Sequence, residues 1–352
     1  MSVALITGSC GLVGAESTLY FSKKGFDTIG IDNNTRKFFF GRDGDISWVK
    51  SKLKRNLKNY KHFNIDIRNY ELLKKIFLKY RKKIDVIIHC AAQPSHDWAK
   101  DRAFIDFDIN AKGTLNLLEL TKLYCPDAPF IFMSTNKVYG DNPNKLPLVE
   151  EKTRWEIKNN HKFKNGIDET MSIDNCTHSF FGASKSYADL IVQEYGKNIG
   201  LKTVCFRGGC ITGPNHSGAK LHGFLSYLVK NSILKKEYSI IGYKGKQVRD
   251  NLHSYDLINC FWEFYKKPKK GIVYNIGGGR YSNCSVIEAL ETVEDLTKIK
   301  IKKKFLKQNR TGDHIWYISN LKKFKKDYPN WKQKYNTKRI IKELVLLTNK
   351  NI

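Results

Sequence analysis

The chain is short of acidic residues: 34 Asp and Glu stand against 62 Lys and Arg, a formal charge of +28 over 352 residues. It also lacks any run of about 18 consecutive apolar residues, so no membrane-spanning helix is expected. Met-Ser-Val-Ala-Leu-Ile-Thr-Gly opens directly on a strand pattern, without the basic n-region and long apolar h-region of a signal peptide. None of the eight cysteines, Cys10, Cys90, Cys125, Cys176, Cys205, Cys210, Cys260 and Cys284, forms a CxxC pair or falls at zinc-finger spacing. No metal site is therefore expected, and scattered thiols in apolar company fit a reduced, cytoplasmic chain. Internal repeats and low-complexity linkers are missing as well. Arginine is scarce, supplying twelve of the 62 basic residues, whereas sequence-specific readers of nucleic acid lean on arginine. No basic motif interleaved with aromatics stands in for it, so RNA is the least expected partner. Half of the charge excess lies in Lys298–Ile352, with seventeen basic and three acidic residues. It reads as a solvated, compositional basic face that can still attract anions.

What is present is enough to bury a sizeable core: 41% hydrophobic and 12% aromatic residues, which excludes a wholly disordered chain. Short apolar runs alternate with amphipathic stretches. Val3–Thr7, Thr28–Asp32, His62–Asp66, Val86–Cys90, Phe130–Ser134 and Thr203–Arg207 read as strands. Gly14–Lys24, Tyr70–Tyr80, Asn110–Leu123 and Gly182–Asn198 read as helices. The alternation predicts an α/β fold, a Rossmann-type doubly wound parallel sheet with a smaller C-terminal α/β substrate lobe. The expected division is residues 1–207 plus about 248–276 for the dinucleotide-binding part, and 208–247 plus 277–352 for the lobe. Arg36–Lys58 reads as an insertion. Asp141–Thr177 is a connection long enough to expect function from it.

The first strand runs into Thr7-Gly8-Ser9-Cys10-Gly11-Leu12-Val13-Gly14. Glycines at that spacing, between a strand and a helix, let the backbone approach a pyrophosphate at the helix N-terminus. Asp32, with Asn33 beside it, ends the next strand. A carboxylate there accepts from ribose hydroxyls and repels a 2′-phosphate, which favours NAD over NADP. Asp66 and Ile67 could serve adenine through a carboxylate and an apolar wall. His89-Cys90-Ala91-Ala92, followed by Gln93, supplies small residues along which a cofactor could pass.

These features, with Asn110, Ser134-Thr135-Asn136-Lys137-Val138-Tyr139-Gly140, Gly182-Ala183-Ser184-Lys185, Arg249-Asp250-Asn251-Leu252-His253 and Tyr274-Asn275-Ile276-Gly277-Gly278-Gly279, resemble the extended short-chain dehydrogenase/reductase superfamily. Ser134–Asp141, Gly245–Asp250 and Gly166–Thr170 with His178-Ser179 look most like its CDP-paratose (CDP-tyvelose) 2-epimerases. The resemblance implies an NAD-dependent epimerase that shuttles a hydride on the sugar of a nucleotide-diphosphate sugar, a CDP-sugar being favoured. It also implies a homodimer built on Asn110–Leu123 and Gly182–Asn198. Lys185 and Thr135 match the family's catalytic lysine and hydroxyl, and Asn110 its cofactor-side asparagine. Four residues before Lys185, where the family's YxxxK tyrosine belongs, stands Phe181, which has no ionisable proton. His178 is the first candidate for the displaced base, ahead of Asp168, Glu169, Tyr139 and Cys176. Asn136, Arg207, Arg249, Arg310, His216 and His222 are the residues expected on the substrate side, with Arg249 and Arg310 on phosphate. The alternatives are an NAD and nucleotide-sugar binder without turnover, or a dehydratase or decarboxylase.

Overall fold

The computed structural model describes residues 2–216, 223–307, 309 and 312–350. In chain order the elements are β1 (Val3–Thr7), α1 (Leu12–Lys23), β2 (Asp27–Ile31), α2 (Thr35–Phe40), α3 (Ser47–Asn56), β3 (Tyr60–Phe63), α4 (Tyr70–Tyr80) and β4 (Ile84–His89). There follow α5 (His96–Asp101), α6 (Ala103–Phe107), a π-helical turn (Asp108–Lys112), α7 (Gly113–Tyr124), β5 (Phe130–Thr135), β6 (Leu148–Glu150), β7 (Trp155–Ile157), α8 (Phe180–Lys197), β8 (Thr203–Gly208) and β9 (Cys210–Thr212). The rest comprises α9 (Phe224–Ile233), β10 (Tyr238–Ile241), β11 (Val248–His253), α10 (Ser254–Lys266), β12 (Ile272–Ile276), β13 (Asn283–Ser285), α11 (Val286–Thr297), β14 (Lys303–Leu306), β15 (Trp316–Tyr317), α12 (Lys322–Asp327) and α13 (Thr337–Lys350). Among the described residues no helix is long and apolar enough to cross a membrane.

Seven strands make the main sheet, in the order β12-β8-β5-β4-β1-β2-β3. β1 runs parallel to β2 and β4, β2 to β3, and β4 to β5. The order reverses beside β1, the doubly wound arrangement in which ligands bind beyond the strands' carboxyl ends. Strand β1 is buried along its whole length, as expected for a sheet covered on both faces. The core beneath it includes Leu5, Ile29, Phe77, Ile87, Leu117, Phe130 and Val192.

By contacts the chain forms two compact units. The first is Met1–Val138, Phe180–Arg207 and Ile258–Tyr274. The second is Tyr139–Ser179, Gly208–Leu257 and Asn275–Ile352. Residues 139–179 and 248–257 thus group differently from the division drawn from the sequence. The reason is pairing: β11 lies against β9, β13 and β15, and Ile167 bridges to Ser319. The second unit has its own core, with Leu228, Ile240, Leu290 and Ile341 in it.

Local differences have plain causes. The third strand begins at Tyr60 and ends at Phe63, because Thr28 pairs with Tyr60 and Ile31 with Phe63. Asp66 therefore lies beyond the strand rather than at its tip. The 36–58 insertion folds as α2 and α3, the latter burying Val49 and Leu53 one turn apart. The helix expected from Asn110 starts instead with the π turn, and Asn110 lies inside it.

Candidate active site

The glycine loop has no room for side chains. Gly8 sits at φ +67°, and a Cβ added there would meet the Ala91 backbone nitrogen at 2.7 Å. At Gly14 a Cβ would fall 2.0 Å from the Gly8 carbonyl oxygen. The Gly8 N–H donates to the Ile31 carbonyl at 2.8 Å, tying the loop to the end of β2. Leu12 and Val13 open α1, which has neither a side-chain cap nor an acidic residue in its first turn. Its N-terminal dipole is thus uncompensated and suited to a pyrophosphate. Asp32 Oδ2 accepts the Cys10 N–H at 2.9 Å, and Oδ1 accepts the Asn34 N–H at 2.8 Å. Burial raises the Asp32 pKa, and those two amides partly offset it. Two bonds leave acceptor sites on this carboxylate for hydroxyl groups.

Next to Asp32, a cavity is lined by Asn33, Thr35, Phe38, Asp66, Arg68 and Ile105. Asp66 reaches it but is engaged. Arg68 donates from Nε at 3.0 Å and Nη2 at 2.8 Å, and Asn33 donates from Nδ2 at 3.0 Å. Burial would raise the Asp66 pKa, but these donors bring it below the ordinary range. Ile67 turns into the core beneath α7, where a Cβ at Gly113 would be 2.6 Å from its Cδ1. Ala91 and Ala92 are half-buried past the end of β4. His89 is fully enclosed between Thr7 Oγ1 at 2.7 Å and Thr114 Oγ1 at 2.9 Å, a packing role.

Helix α8 carries Phe181 and Lys185 one turn apart, hence on one face. Lys185 is 3% exposed; its Nζ donates to the Met133 carbonyl at 2.9 Å and lies 4.1 Å from the Phe132 ring centre. Burial pulls its pKa down to about 8, against the attraction of Asp189. Phe181 is 7% exposed and packs against the His96 ring, with centres 4.8 Å apart and planes at 65°. Thr135 closes β5; its Oγ1 accepts the Lys137 N–H at 3.2 Å and donates to Asn136 Oδ1 at 3.4 Å.

Gln93 and Asn110 turn out to belong to a buried polar cluster. The Gln93 N–H donates to Asn110 Oδ1 at 2.9 Å, and its Nε2 donates to Asp106 at 2.7 Å. Asn110 Nδ2 donates to Asp106 at 3.2 Å and to Ser184 Oγ at 3.1 Å, and Ser184 donates to Asp106. Sequence reasoning missed His96, Asp106 and Ser184. The signal for one of them was there: Asp106, Asn110 and Thr114 are polar residues at intervals of four along an otherwise apolar helical stretch. Arg207 requires a correction. It is 5% exposed and forked onto Asp189, Nη2 to Oδ1 at 2.7 Å and Nε to Oδ2 at 3.1 Å. Ser134 also donates to that carboxylate. The arginine neutralises a buried acid inside the first unit rather than waiting for substrate.

In the second unit His178 Nε2 faces the Ile173 carbonyl at 2.9 Å and the Cys176 sulfur at 3.4 Å, while its Nδ1 is buried without a partner. Tyr139 is fully buried and donates to Asn275 Oδ1 at 2.7 Å. Glu169 accepts the Asn275 N–H at 2.6 Å, and burial raises its pKa. Arg249 is 9% exposed, donating to the Val248 carbonyl at 2.7 Å and ion-paired with Asp313. Asp250, beside it, is wholly buried. Its Oδ2 accepts the Gly279 and Ser319 amides, and burial lifts its pKa to about 6. His216 packs its ring against Gly223 and lies 3.4 Å from Ser226 Oγ. Arg310 and His222 fall outside the described residues. Among the described residues no cluster of His, Cys, Asp or Glu could hold a metal ion.

A model of the NAD dependent epimerase/dehydratase family matches residues 4–277. CDP-paratose 2-epimerase of Salmonella typhi is 32% identical over 326 residues, 91% of either chain. UDP-glucuronate 4-epimerase of Thermodesulfobacterium geofontis is 26% identical over 359 residues, covering 100% of this chain and 98% of that one. The crystal structure of UDP-glucose 4-epimerase from Thermus thermophilus, a complex with NAD, shares the fold at TM-score 0.78 and 21% identity over the full length of both chains. The glycine cradle and Asp32 fit NAD, which is the cofactor. Sheet order, cradle and sequence match agree: the chain belongs to the NAD dependent epimerase/dehydratase family, within the extended short-chain dehydrogenases/reductases.

Proposed function

We propose that the protein is an NAD-dependent nucleotide-sugar epimerase that works by transient oxidation of one sugar carbon, with a CDP-sugar as the favoured substrate and Phe181 standing where the family's tyrosine acts. The observation that carries this reading is Lys185. It is buried, held by the Met133 carbonyl, and its pKa is drawn down to about 8 in the unit that contains the glycine cradle. A drifted surface lysine would not keep such a costly position.

Bound NAD supplies a reversible hydride acceptor. The amides opening α1 at Leu12 and Val13, together with Gly8, Gly11 and Gly14, would take its pyrophosphate. Asp32 and Asn33 would take the adenosine ribose, and the Asp66–Ile105 cavity the base. Ala91 and Ala92 would line its path, while Gln93 and Asn110 keep that wall in place. Lys185 would hold the nicotinamide ribose and, as a cation, favour deprotonation nearby. Thr135 would orient the reacting hydroxyl, with Asn136 behind it. In the second unit Arg249 keeps donors beyond the two it uses, enough for a diphosphate oxygen. Exposed Phe107, Leu123, Tyr187 and Leu190 support a homodimer through α7 and α8.

Phe181 also favours a second reading, a binder of NAD and nucleotide sugar without turnover. Incubation with NAD and a panel of CDP-, GDP-, UDP- and dTDP-sugars, read by NMR in deuterated water, separates them. An epimer without solvent deuterium at the carbon is the expected result. Deuterium incorporation would favour dehydratase-type chemistry. Binding without product across the panel would establish the second reading.

A further inference from the structure

Phe181 leaves the oxidation step without its phenol, and the residue packed on Phe181 is itself an acid–base group. We propose that His96 takes the proton of the reacting sugar hydroxyl and returns it, in place of the missing tyrosine. This rests on the epimerase reading above.

Three observations converge, all within the first unit. The His96 imidazole lies edge-to-face on the Phe181 ring at 4.8 Å between centres, one helical turn from Lys185. It is half-buried, so it remains open to a ligand. Its position is also fixed. His96 is the first residue of α5, which Ser95 caps by accepting the Trp98 N–H. Gln93 holds Ser95 from both sides, donating to its carbonyl at 2.9 Å and accepting its N–H. Gln93 is in turn bonded to Asp106, which takes Ser184, the residue before Lys185. The polar cluster therefore locks the His96 turn to the helix that bears Phe181 and Lys185. Such support behind a reacting group is what proton transfer at a set distance requires.

The balance is simple. The hydroxyl O–H bond breaks and its proton goes to an imidazole nitrogen. The C–H bond breaks and its electron pair leaves as hydride to oxidised NAD, while the C=O bond forms. Return of both, with hydride on the other face, gives the epimer. An imidazole has the intrinsic pKa for this exchange near neutrality.

The test uses full-length protein, NAD and the same CDP-, GDP-, UDP- and dTDP-sugar panel. With whichever sugar the wild type turns over, His96→Gln should slow single-turnover absorbance growth at 340 nm by about 100-fold or more. NAD affinity and melting temperature should stay at wild-type values, and added imidazole should restore part of the rate. Phe181→Tyr placed on His96→Gln should recover turnover through the restored phenol. An unchanged single-turnover rate in His96→Gln overturns the proposal and leaves the epimerase reading intact. No turnover by wild type with any sugar overturns that reading and this proposal with it. Histidine-selective NMR gives an independent readout on unaltered protein. The His96 ring signals should move on adding NADH with CDP-glucose, and signals that stay put overturn the proposal.

Discussion

The two units treat buried polarity differently. In the first unit the buried groups are paired: Arg207 with Asp189 and Ser134, Asn110 with Gln93 and Asp106, His89 with two threonines. In the second, Trp155 Nε1, Gln247 Oε1, Asn251 Oδ1, Trp316 Nε1 and Gln333 Oε1 are buried without a hydrogen-bond partner. Tyr80 is the counterpart in the first unit. A buried polar atom left unpaired costs about 1–3 kcal/mol. The first unit is therefore a platform already organised for its ligand. The second keeps internal demand that makes its stability more sensitive to conditions.

The largest effect should come from breaking the platform at its tightest point. Gly8→Ala would force a β-carbon into the Ala91 backbone at a positive φ, and NAD titration by calorimetry should show binding lost. Retained affinity would mean that the loop can move aside. Next, Asp189→Ala should destabilise the first unit by about 3–5 kcal/mol in urea unfolding, because Arg207 is left charged and enclosed. A loss below about 1 kcal/mol would show that the pair contributes little. Lys185→Met should leave the fold in place and cut the single-turnover rate by about 100-fold on the epimerase reading. The smallest effect concerns the second unit. Asp250, lifted to about 6 from a carboxylate's usual range, binds a proton more readily folded than unfolded. Its destabilising contribution is thus complete above about pH 6 and relieved as pH falls towards 4. The gap in unfolding free energy between Asp250→Asn and wild type should therefore shift by on the order of 1 kcal/mol from pH 7 to pH 5. A gap independent of pH would remove the carboxyl from this account.

The same contrast decides what could be read beforehand. Local periodicity and turn chemistry gave β1 and α4 with their observed ends, because those segments bury a simple apolar face. The glycine loop was legible because its constraint is steric and lies within a few residues. The third strand was misplaced because its limits are set by pairing with β2, which no local pattern reports. Arg207 was assigned to substrate because its partner lies eighteen residues away on a helix, and a charge's destination is not written beside it. His96 went unnoticed for the same reason. Eighty-five positions separate it from Phe181, and only the fold brings the rings together.

The π turn at Asp108–Lys112 bears on how this chain may be recombined with its relatives. Deleting one residue there would rotate the following helix by about 100°. Leu117 and Leu120 would leave the core, and Thr114 would release His89. At this place segment length matters more than residue identity. A chimera that preserves every side chain but miscounts the turn by one should fail to fold, while one that keeps the count should tolerate substitutions at its exposed positions.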